Sequence, residues 1–208
     1  EEELAADMVR DLTEGVGDTG VRAGIIGEIG CSWPLQDGER KVLRAAARAQ
    51  AQTGAPLTIH PGRHETAPLE IVEVLREAGA DLRHTVMGHV DRTMFSLETQ
   101  LKVAEAGCYL EFDLFGQESS YYALNPAIDM PNDGQRLASI ARLVAEGLAS
   151  QVLISQDICH KTRLTRYGGH GYAHILERVA PRMRARGFRG ADIHTILEEN
   201  PQRMLAFA

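Results

Sequence analysis

The chain has 208 residues, of which 44% are hydrophobic and 25% are charged, and its formal net charge is −7. This composition is typical of a globular protein, and the length allows one domain with a sizeable core. The acidic balance argues against nucleic acids and anionic membrane surfaces as partners, because both are bound by basic faces. We therefore expect a small-molecule ligand, and we leave open whether the chain forms a homo-oligomer.

The cysteines are too few and too scattered to support a disulfide framework. The chain has three cysteines, an odd number, and they form no CxxC metal motif: Cys31, Cys108 and Cys159. No apolar run approaches the roughly eighteen residues that a membrane span needs, and no signal peptide is recognisable. This pattern predicts a cytoplasmic protein. Because the chain begins with Glu1 rather than methionine, we expect it to be part of a longer protein.

Short apolar runs alternate with helical stretches along the chain. A first helix is expected over residues 3–13. The following runs are short, bounded by turn residues and rich in β-branched side chains, which predicts buried strands over residues 21–29, 56–60, 84–89, 108–112 and 151–155. Glycines suited to left-handed helix ends follow several of the helices: Gly54, Gly79, Gly107, Gly147 and Gly187.

The intervening helices are amphipathic. Their apolar residues recur at the i, i+3, i+4, i+7 spacing of a stripe that faces a core. The predicted stripes are Ile71, Val74, Leu75 and Ala78; Leu137, Ile140, Ala141, Val144 and Leu148; and Tyr172, Ile175, Leu176 and Val179.

Strands separated by single helices predict parallel βαβ units, which leaves two architectures. A doubly wound sheet normally carries a glycine-rich phosphate turn after its first strand, whereas this strand ends Gly27-Glu28-Ile29-Gly30. A TIM-type (β/α)₈ barrel needs eight strands and typically about 250 residues. We therefore expect a single α/β domain over residues 1–208 that represents roughly strands four to eight of such a barrel, with their helices.

Polar residues recur where successive predicted strands end. They are Glu28, His60, His89 and Asp157. In a parallel barrel these ends face one mouth, where imidazole and carboxylate groups suit a zinc, manganese or iron ion. From the pattern alone, a metal site and a set of hydrogen-bonded structural residues are about equally supported. We interpret the remaining histidines as structural: His64, His84, His160, His170, His174 and His194.

Several sequence motifs, in order along the chain, carry a family resemblance. The segments GIIGEIGCSWPL, IHPGR, VMGHVDRT, CYLEFDLFG, YGGHGYAHIL and ENPQRML resemble the phosphotriesterase-related branch of the amidohydrolase superfamily, from about residue 20 onwards. In that superfamily, an HxH motif on strand one binds one metal and an acid or carboxylated lysine ending strand four bridges to a second. Histidines ending strands five and six hold the second metal, and an aspartate ending strand eight completes the site.

The resemblance implies a role for each of the four candidate residues. Glu28 matches the bridging ligand, His60 and His89 match the histidines of strands five and six, and Asp157 matches the strand-eight aspartate. A complete site of this kind holds two divalent ions, which we expect to be zinc, with a metal-bound hydroxide as the nucleophile. Asp157 would orient that nucleophile and accept its proton. The chain departs from the family in having no HxH motif.

The resemblance implies a metal-dependent hydrolase that cleaves a small N-acyl amide such as N-acetyltaurine. Lactone or phosphotriester hydrolysis is the alternative. A hypothesis of another class is a non-catalytic half-barrel, because the HxH ligands are absent. A doubly wound sugar- or nucleotide-binding domain is a third hypothesis, but it would need a phosphate-binding turn, which this sequence does not contain. Arg63 is expected to meet an anionic substrate group, and Tyr121 to line the substrate pocket. A surface arginine and ordinary loop packing are the plainer interpretations of these residues.

Overall fold

The computed structural model describes residues 1–207 and contains one parallel sheet. Its strands are β1 (Ile26–Gly30), β2 (Leu57–His60), β3 (Thr85–Met87), β4 (Tyr109–Phe112) and β5 (Val152–Ile154). They lie side by side in chain order, and every neighbouring pair is parallel. A doubly wound sheet reverses its strand order at a switch point, and no reversal occurs here. The prediction of a partial (β/α) barrel is confirmed.

Helices separate successive strands, as crossover connections between parallel strands require. They are α1 (Glu2–Thr13), α2 (Asp37–Thr53), α3 (Ala67–Glu77), α4 (Val90–Thr93), α5 (Leu97–Glu105), α6 (Asp133–Ala145), α7 (Ala180–Ala185), α8 (Gly190–His194) and α9 (Asn200–Leu205). Two π-helical turns, Ile175–Val179 and Thr195–Glu199, lead into α7 and α9. Within the described part of the chain, no helix has the length and apolar character to cross a membrane.

The glycines predicted at helix ends all adopt positive φ angles. After α2, Gly54 has a φ of 68° and its N–H donates to the Gln50 carbonyl oxygen at 2.8 Å. A side chain is strained in this conformation, so glycine ends the helix at little cost. The local sequence thus determines where these helices stop and where the chain returns to the sheet.

The core lies between the sheet and the helices. The predicted stripes of α3 and α6 bury Ile71, Leu75, Leu137 and Ile140 almost completely. In α6 the prediction fails at Ala141, which is exposed; the neighbouring Leu143 is buried instead.

The third predicted stripe is only half correct. Ile175 and Val179 are buried, but Tyr172 and Leu176 are 75% and 71% exposed. Tyr172 lies in a turn that precedes the helix, and Leu176 lies in the π-helical turn at Ile175–Val179, whose wider winding changes the period assumed for an α-helix. Ala180 and Met183 are the next buried residues, and Ile175, Val179 and Met183 follow each other at intervals of four residues.

A buried network of charged side chains connects three units on one side of the sheet. Arg136 on α6 donates to Asp91 on α4 at 2.6 Å and to Asp133 at 3.0 Å. Asp133 in turn lies 2.7 Å from His174 Nε2, and the Gly116 N–H donates to it at 2.9 Å. These contacts agree with the structural interpretation of His174, and they pair each buried charge with an opposite one.

Candidate metal centre

The ends of the first three strands bring three of the predicted residues together. Glu28, His60 and His89 each offer a ligand atom, and these atoms lie within 4.8 Å of one another. His60 is the last residue of β2, and His89 follows β3 and immediately precedes α4, with a left-handed φ of 54°. Glu28 differs from the prediction, because it lies inside β1 rather than at its end. The sheet register pairs Gly30 with His60, which sets the two strands side by side at this edge.

The Glu28 carboxylate lies between the two imidazole rings. Its Oε2 is 2.9 Å from His60 Nδ1, and its Oε1 is 3.2 Å from His89 Nε2. The two ring nitrogens are themselves 2.8 Å apart. The hydrogen bonds from His60 and then from His89 hold the pKa of Glu28 well below its usual range. The carboxylate is therefore ionised, and three donor atoms converge on one point.

Asp113, which follows β4, fixes the orientation of His89. Its carboxylate accepts the backbone N–H of His89 at 2.7 Å and contacts His89 Nδ1 at 2.8 Å. Both side chains are buried. Burial by itself lowers the pKa of His89, but the hydrogen bonds to Asp113 and Glu28 outweigh it and raise that pKa to about 9. With Nδ1–H held by Asp113, His89 presents Nε2 to the cluster. Metal-binding histidines are usually oriented in this way, by a carboxylate that accepts the N–H of the other ring nitrogen.

Arg92 on α4 contacts the far side of the His60 ring. Its Nη2 lies 2.9 Å from His60 Nε2. A guanidinium can only donate, so His60 Nε2 accepts and its Nδ1 carries the proton that faces Glu28. Arg92 is 3% exposed and otherwise contacts the Pro61 carbonyl oxygen at 3.4 Å and Thr93 Oγ1 at 3.1 Å.

Asp157 stands apart from these three residues. It follows β5 with a left-handed φ of 40°, and its Oδ2 lies 3.1 Å from Arg163 Nη1. Over residues 1–207, the cluster of candidate ligands contains Glu28, His60 and His89 and does not include Asp157. Its role as a ligand and proton acceptor stays a prediction.

The predicted substrate residues have different surroundings. Arg63 Nε donates to the Tyr122 hydroxyl at 2.7 Å, and the guanidinium carbon lies 5.8 Å from the centre of the Tyr122 ring. Tyr121 is 74% exposed. The tyrosine that contacts Arg63 is Tyr122, the neighbour of the predicted pocket residue Tyr121. The role of Tyr121 in the substrate pocket stays a prediction.

Sequence reasoning missed Asp113, Arg92 and Glu111. Asp113 follows a predicted strand, so the rule that selected His60 and His89 could have found it. Arg92 follows His89 in VMGHVDRT, and nothing in its local sequence marks it. Glu111 lies within β4; burial first, and then the charge of Asp113, raise its pKa above the usual range.

The donor set fits a divalent metal ion. Two imidazole nitrogens and one ionised carboxylate oxygen are ligands that zinc, manganese and iron accept. Asp113 behind His89 supplies the carboxylate–histidine arrangement that commonly supports such a ligand. The described residues provide the donors for one ion.

Consecutive parallel β/α units with histidines and a carboxylate at the carboxyl edge of the sheet define a barrel with a candidate metal centre at its mouth. The chain belongs to the Phosphotriesterase family, which it matches over residues 1–205. The family resemblance that the motifs indicated is thereby confirmed.

Named relatives extend this assignment. The N-acetyltaurine hydrolase of Bos taurus is 50% identical over 206 residues, which are 99% of this chain and 59% of the relative. A resiniferatoxin-binding protein from Rhodobacter sphaeroides is 36% identical with a TM-score of 0.92, over 98% of this chain and 56% of that one. A phosphotriesterase homology protein from Escherichia coli, solved with phosphate in its active site, is 34% identical with a TM-score of 0.85, over 99% of this chain and 67% of that one. The chain thus spans about 59% of the length of the curated relative.

Proposed function

We propose that this protein is a metal-dependent hydrolase that cleaves the amide bond of a small N-acyl compound such as N-acetyltaurine. The observation that carries the proposal is the convergence of Glu28, His60 and His89, whose ligand atoms lie within 4.8 Å of one another. The 50% identity to a protein named N-acetyltaurine hydrolase supports the choice of substrate. We further propose zinc as the metal and the cytoplasm as the location, from the donor set and the cysteine pattern respectively.

Each residue of the cluster has a distinct task in this proposal. His60 would bind the ion through Nδ1 and His89 through Nε2, because these nitrogens face the Glu28 carboxylate. The ion would replace the Nδ1 proton of His60, and protonation of Nε2 would then replace the hydrogen bond from Arg92. Glu28 would supply negative charge, and its low pKa keeps it ionised across the physiological range. When bound, a divalent ion activates water and polarises a carbonyl group.

Asp157 would accept the proton of the attacking water and pass it to the leaving amine. Its carboxylate is paired with Arg163 at 3.1 Å, so this role requires Asp157 to exchange that partner for the cluster. The pair of zinc ions proposed for the complete site needs donors beyond Glu28, His60 and His89, and the 208 residues contain no HxH motif.

Metal content and substrate choice test the proposal together. Zinc per protein is measured by elemental analysis for this chain and for the full-length protein, with His89→Ala and the control His194→Ala. His194 lies on α8 with a half-exposed side chain and is outside the cluster. We expect about two zinc ions in the full-length protein and one or none in this chain, and a further loss in His89→Ala alone. No zinc in any form, with the fold intact, would make Glu28, His60 and His89 structural and favour the non-catalytic half-barrel.

Hydrolysis assays on the metal-loaded full-length protein then separate the chemistries. We expect N-acetyltaurine to be cleaved faster than a simple γ-lactone or paraoxon. Rapid hydrolysis of paraoxon or the lactone with N-acetyltaurine untouched would reverse the order and favour the alternative activity.

A further inference from the structure

Two arginines beside the metal centre have no acidic partner. Arg92 and Arg63 form no ion pair within 4.0 Å with any carboxylate in the described part of the chain. Arg92 is 3% exposed, and its neighbours are a carbonyl oxygen, a hydroxyl and the His60 ring. The other deeply buried arginine, Arg136, is held by Asp91 and Asp133. The carboxylates of Asp113 and Asp91 act on Arg92 only from beyond 4.0 Å, and a buried cation without a directly paired anion is costly.

The guanidinium of Arg63 is held in position by one hydrogen bond, and its remaining N–H groups are available to a ligand. Its Nε donates to the Tyr122 hydroxyl at 2.7 Å, and its plane lies near the Tyr122 ring. Only Nε has a hydrogen-bond partner among residues 1–207; the terminal nitrogens Nη1 and Nη2 have none there. A guanidinium held at Nε with its terminal nitrogens available is suited to bind an oxyanion at two points.

The two cations act on the same region. Burial lowers the pKa of Arg92, Tyr122 acts in the opposite direction, the positive charge of Arg63 lowers the pKa further, and the carboxylates of Asp113 and Asp91 raise it. Arg92 also contacts the carbonyl oxygen of Pro61 at 3.4 Å, two residues before Arg63, and Arg63 donates to the Tyr122 hydroxyl at 2.7 Å, so the three side chains lie in one region. Like charges repel, and an anion between or beside them would convert that repulsion into attraction.

We propose that Arg63, supported by Tyr122 and by the buried charge of Arg92, binds the anionic end of the substrate as a sulfonate or carboxylate. This inference rests on the proposed function and specifies the substrate class of that site. Arg63 makes the direct contact, because it is partly exposed, whereas Arg92 strengthens the positive potential from behind.

The position of His60 limits the length of the substrate. One side of its ring faces Glu28 at 2.9 Å, and the other faces Arg92 at 2.9 Å. A single imidazole ring therefore separates the metal centre from Arg92, and Arg63 lies three residues after His60 in the loop that follows β2. A substrate that reaches both the metal centre and Arg63 has its anionic group a few bonds from the scissile amide, as in an N-acyl aminosulfonate with a two-carbon spacer.

Kinetics on a charged and a neutral substrate test this assignment. N-acetyltaurine is compared with N-acetylethanolamine, which carries a hydroxyl in place of the sulfonate, using the metal-loaded full-length protein. Arg63→Gln is expected to lower kcat/KM for N-acetyltaurine about 10- to 100-fold, mainly through KM, as expected for loss of a charged hydrogen bond. The neutral substrate is expected to change by less than about threefold, and Tyr122→Phe to give a smaller loss of the same kind.

The matched control is Arg83→Gln, since the Arg83 side chain is 85% exposed and paired with Asp81 away from the site. Arg92→Lys keeps the positive charge and, with unchanged zinc content, is expected to retain the preference for the charged substrate. An equal loss on both substrates in Arg63→Gln, or no loss on either, would overturn the inference while leaving amide hydrolysis intact.

A binding measurement separates the inference from the proposed function. Ethanesulfonate and the uncharged ethyl methyl sulfone are titrated calorimetrically into wild type and Arg63→Gln. Binding of ethanesulfonate alone, weakened by salt and lost in Arg63→Gln, supports the anion site even if no amide is hydrolysed. Equal binding of both compounds, or binding that survives the loss of Arg63, contradicts it.

Discussion

Replacing Asp113 by Asn tests how the environment of His89 sets metal affinity. Asp113 accepts both Nδ1–H and the backbone N–H of His89, at 2.8 Å and 2.7 Å. It thus does two opposing things: it orients Nε2 towards the ion, and it helps raise the pKa of the metal-free imidazole to about 9. Because a metal displaces the proton from its ligand, the second effect weakens metal binding at neutral pH.

The two effects have comparable magnitudes at pH 7 and different pH dependence. Removing a proton from a group with a pKa near 9 costs about 2.7 kcal/mol at pH 7. Loss of an outer partner of a metal-binding histidine typically weakens metal affinity by about 10- to 100-fold. In Asp113→Asn the proton cost shrinks while the orienting bond weakens, so the affinities of variant and wild type are expected to be similar at pH 7. Near pH 9.5 most of the imidazole is deprotonated in both proteins, and the variant is expected to bind the metal about 10- to 100-fold more weakly.

Competition with a chromophoric zinc chelator at pH 7 and pH 9.5 measures the two affinity ratios. Asp7→Asn is the control, since Asp7 is half exposed on α1 and, among residues 1–207, its ion pair is with Arg10. A ratio of wild type to Asp113→Asn that is the same at both pH values would refute the reasoning. The metal-free proteins give a second check. A folded pKa above 6.5 contributes stability that is fully present below about pH 6.5 and is lost as the pH rises through 9, by about 3 kcal/mol. Urea unfolding should show that loss in wild type and less of it in the variant.

Three further predictions concern the rest of the molecule. Arg136→Met leaves Asp91 and Asp133 buried without their cation and is expected to destabilise the fold by about 3–5 kcal/mol in urea unfolding; a loss under about 1 kcal/mol would contradict the importance of the network. Gly62→Ala would bring a Cβ into a clash with the backbone carbonyl oxygen of Ser32, so a lower melting temperature by several degrees is expected, and an unchanged one would refute the close approach. Native protein is expected to expose one reactive thiol to a disulfide reagent at pH 8, that of Cys159, because the other two cysteines are buried; fast labelling of three thiols would disprove this.

The sequence predicts the sheet and its order well because both depend on local patterns. Five apolar runs bounded by turn residues became five parallel strands, although the first begins at Ile26 rather than at Val21. The exposed Leu176 shows the limit of the method: a stripe assumes the period of an α-helix, and the π-helical turn that changes it leaves no clear mark in the sequence.

The residues of the candidate site likewise divide into those that local patterns predict and those that depend on contacts between segments. His60 and His89 follow strands and were predictable from position and residue type, and Asp113 could have been found in the same way. The surroundings of Asp157 depend on Arg163, six residues further along, whose loop folds back onto it in a conformation that no helix or strand pattern specifies. The contact between Arg92 and His60 joins two different β/α units, and no pattern within either unit indicates it.

The buried charge network also bears on how the protein opens. Asp91 lies on the short helix that His89 begins, and Arg136, Asp133 and His174 connect that helix to α6 and to the segment before the π-helical turn. Exposing any one of these segments leaves buried charges unpaired in the others, so they are expected to unfold as one cooperative unit. Amide hydrogen exchange would then be slow and nearly uniform across α4 and α6, and His89 would lose its position only when this whole unit opens.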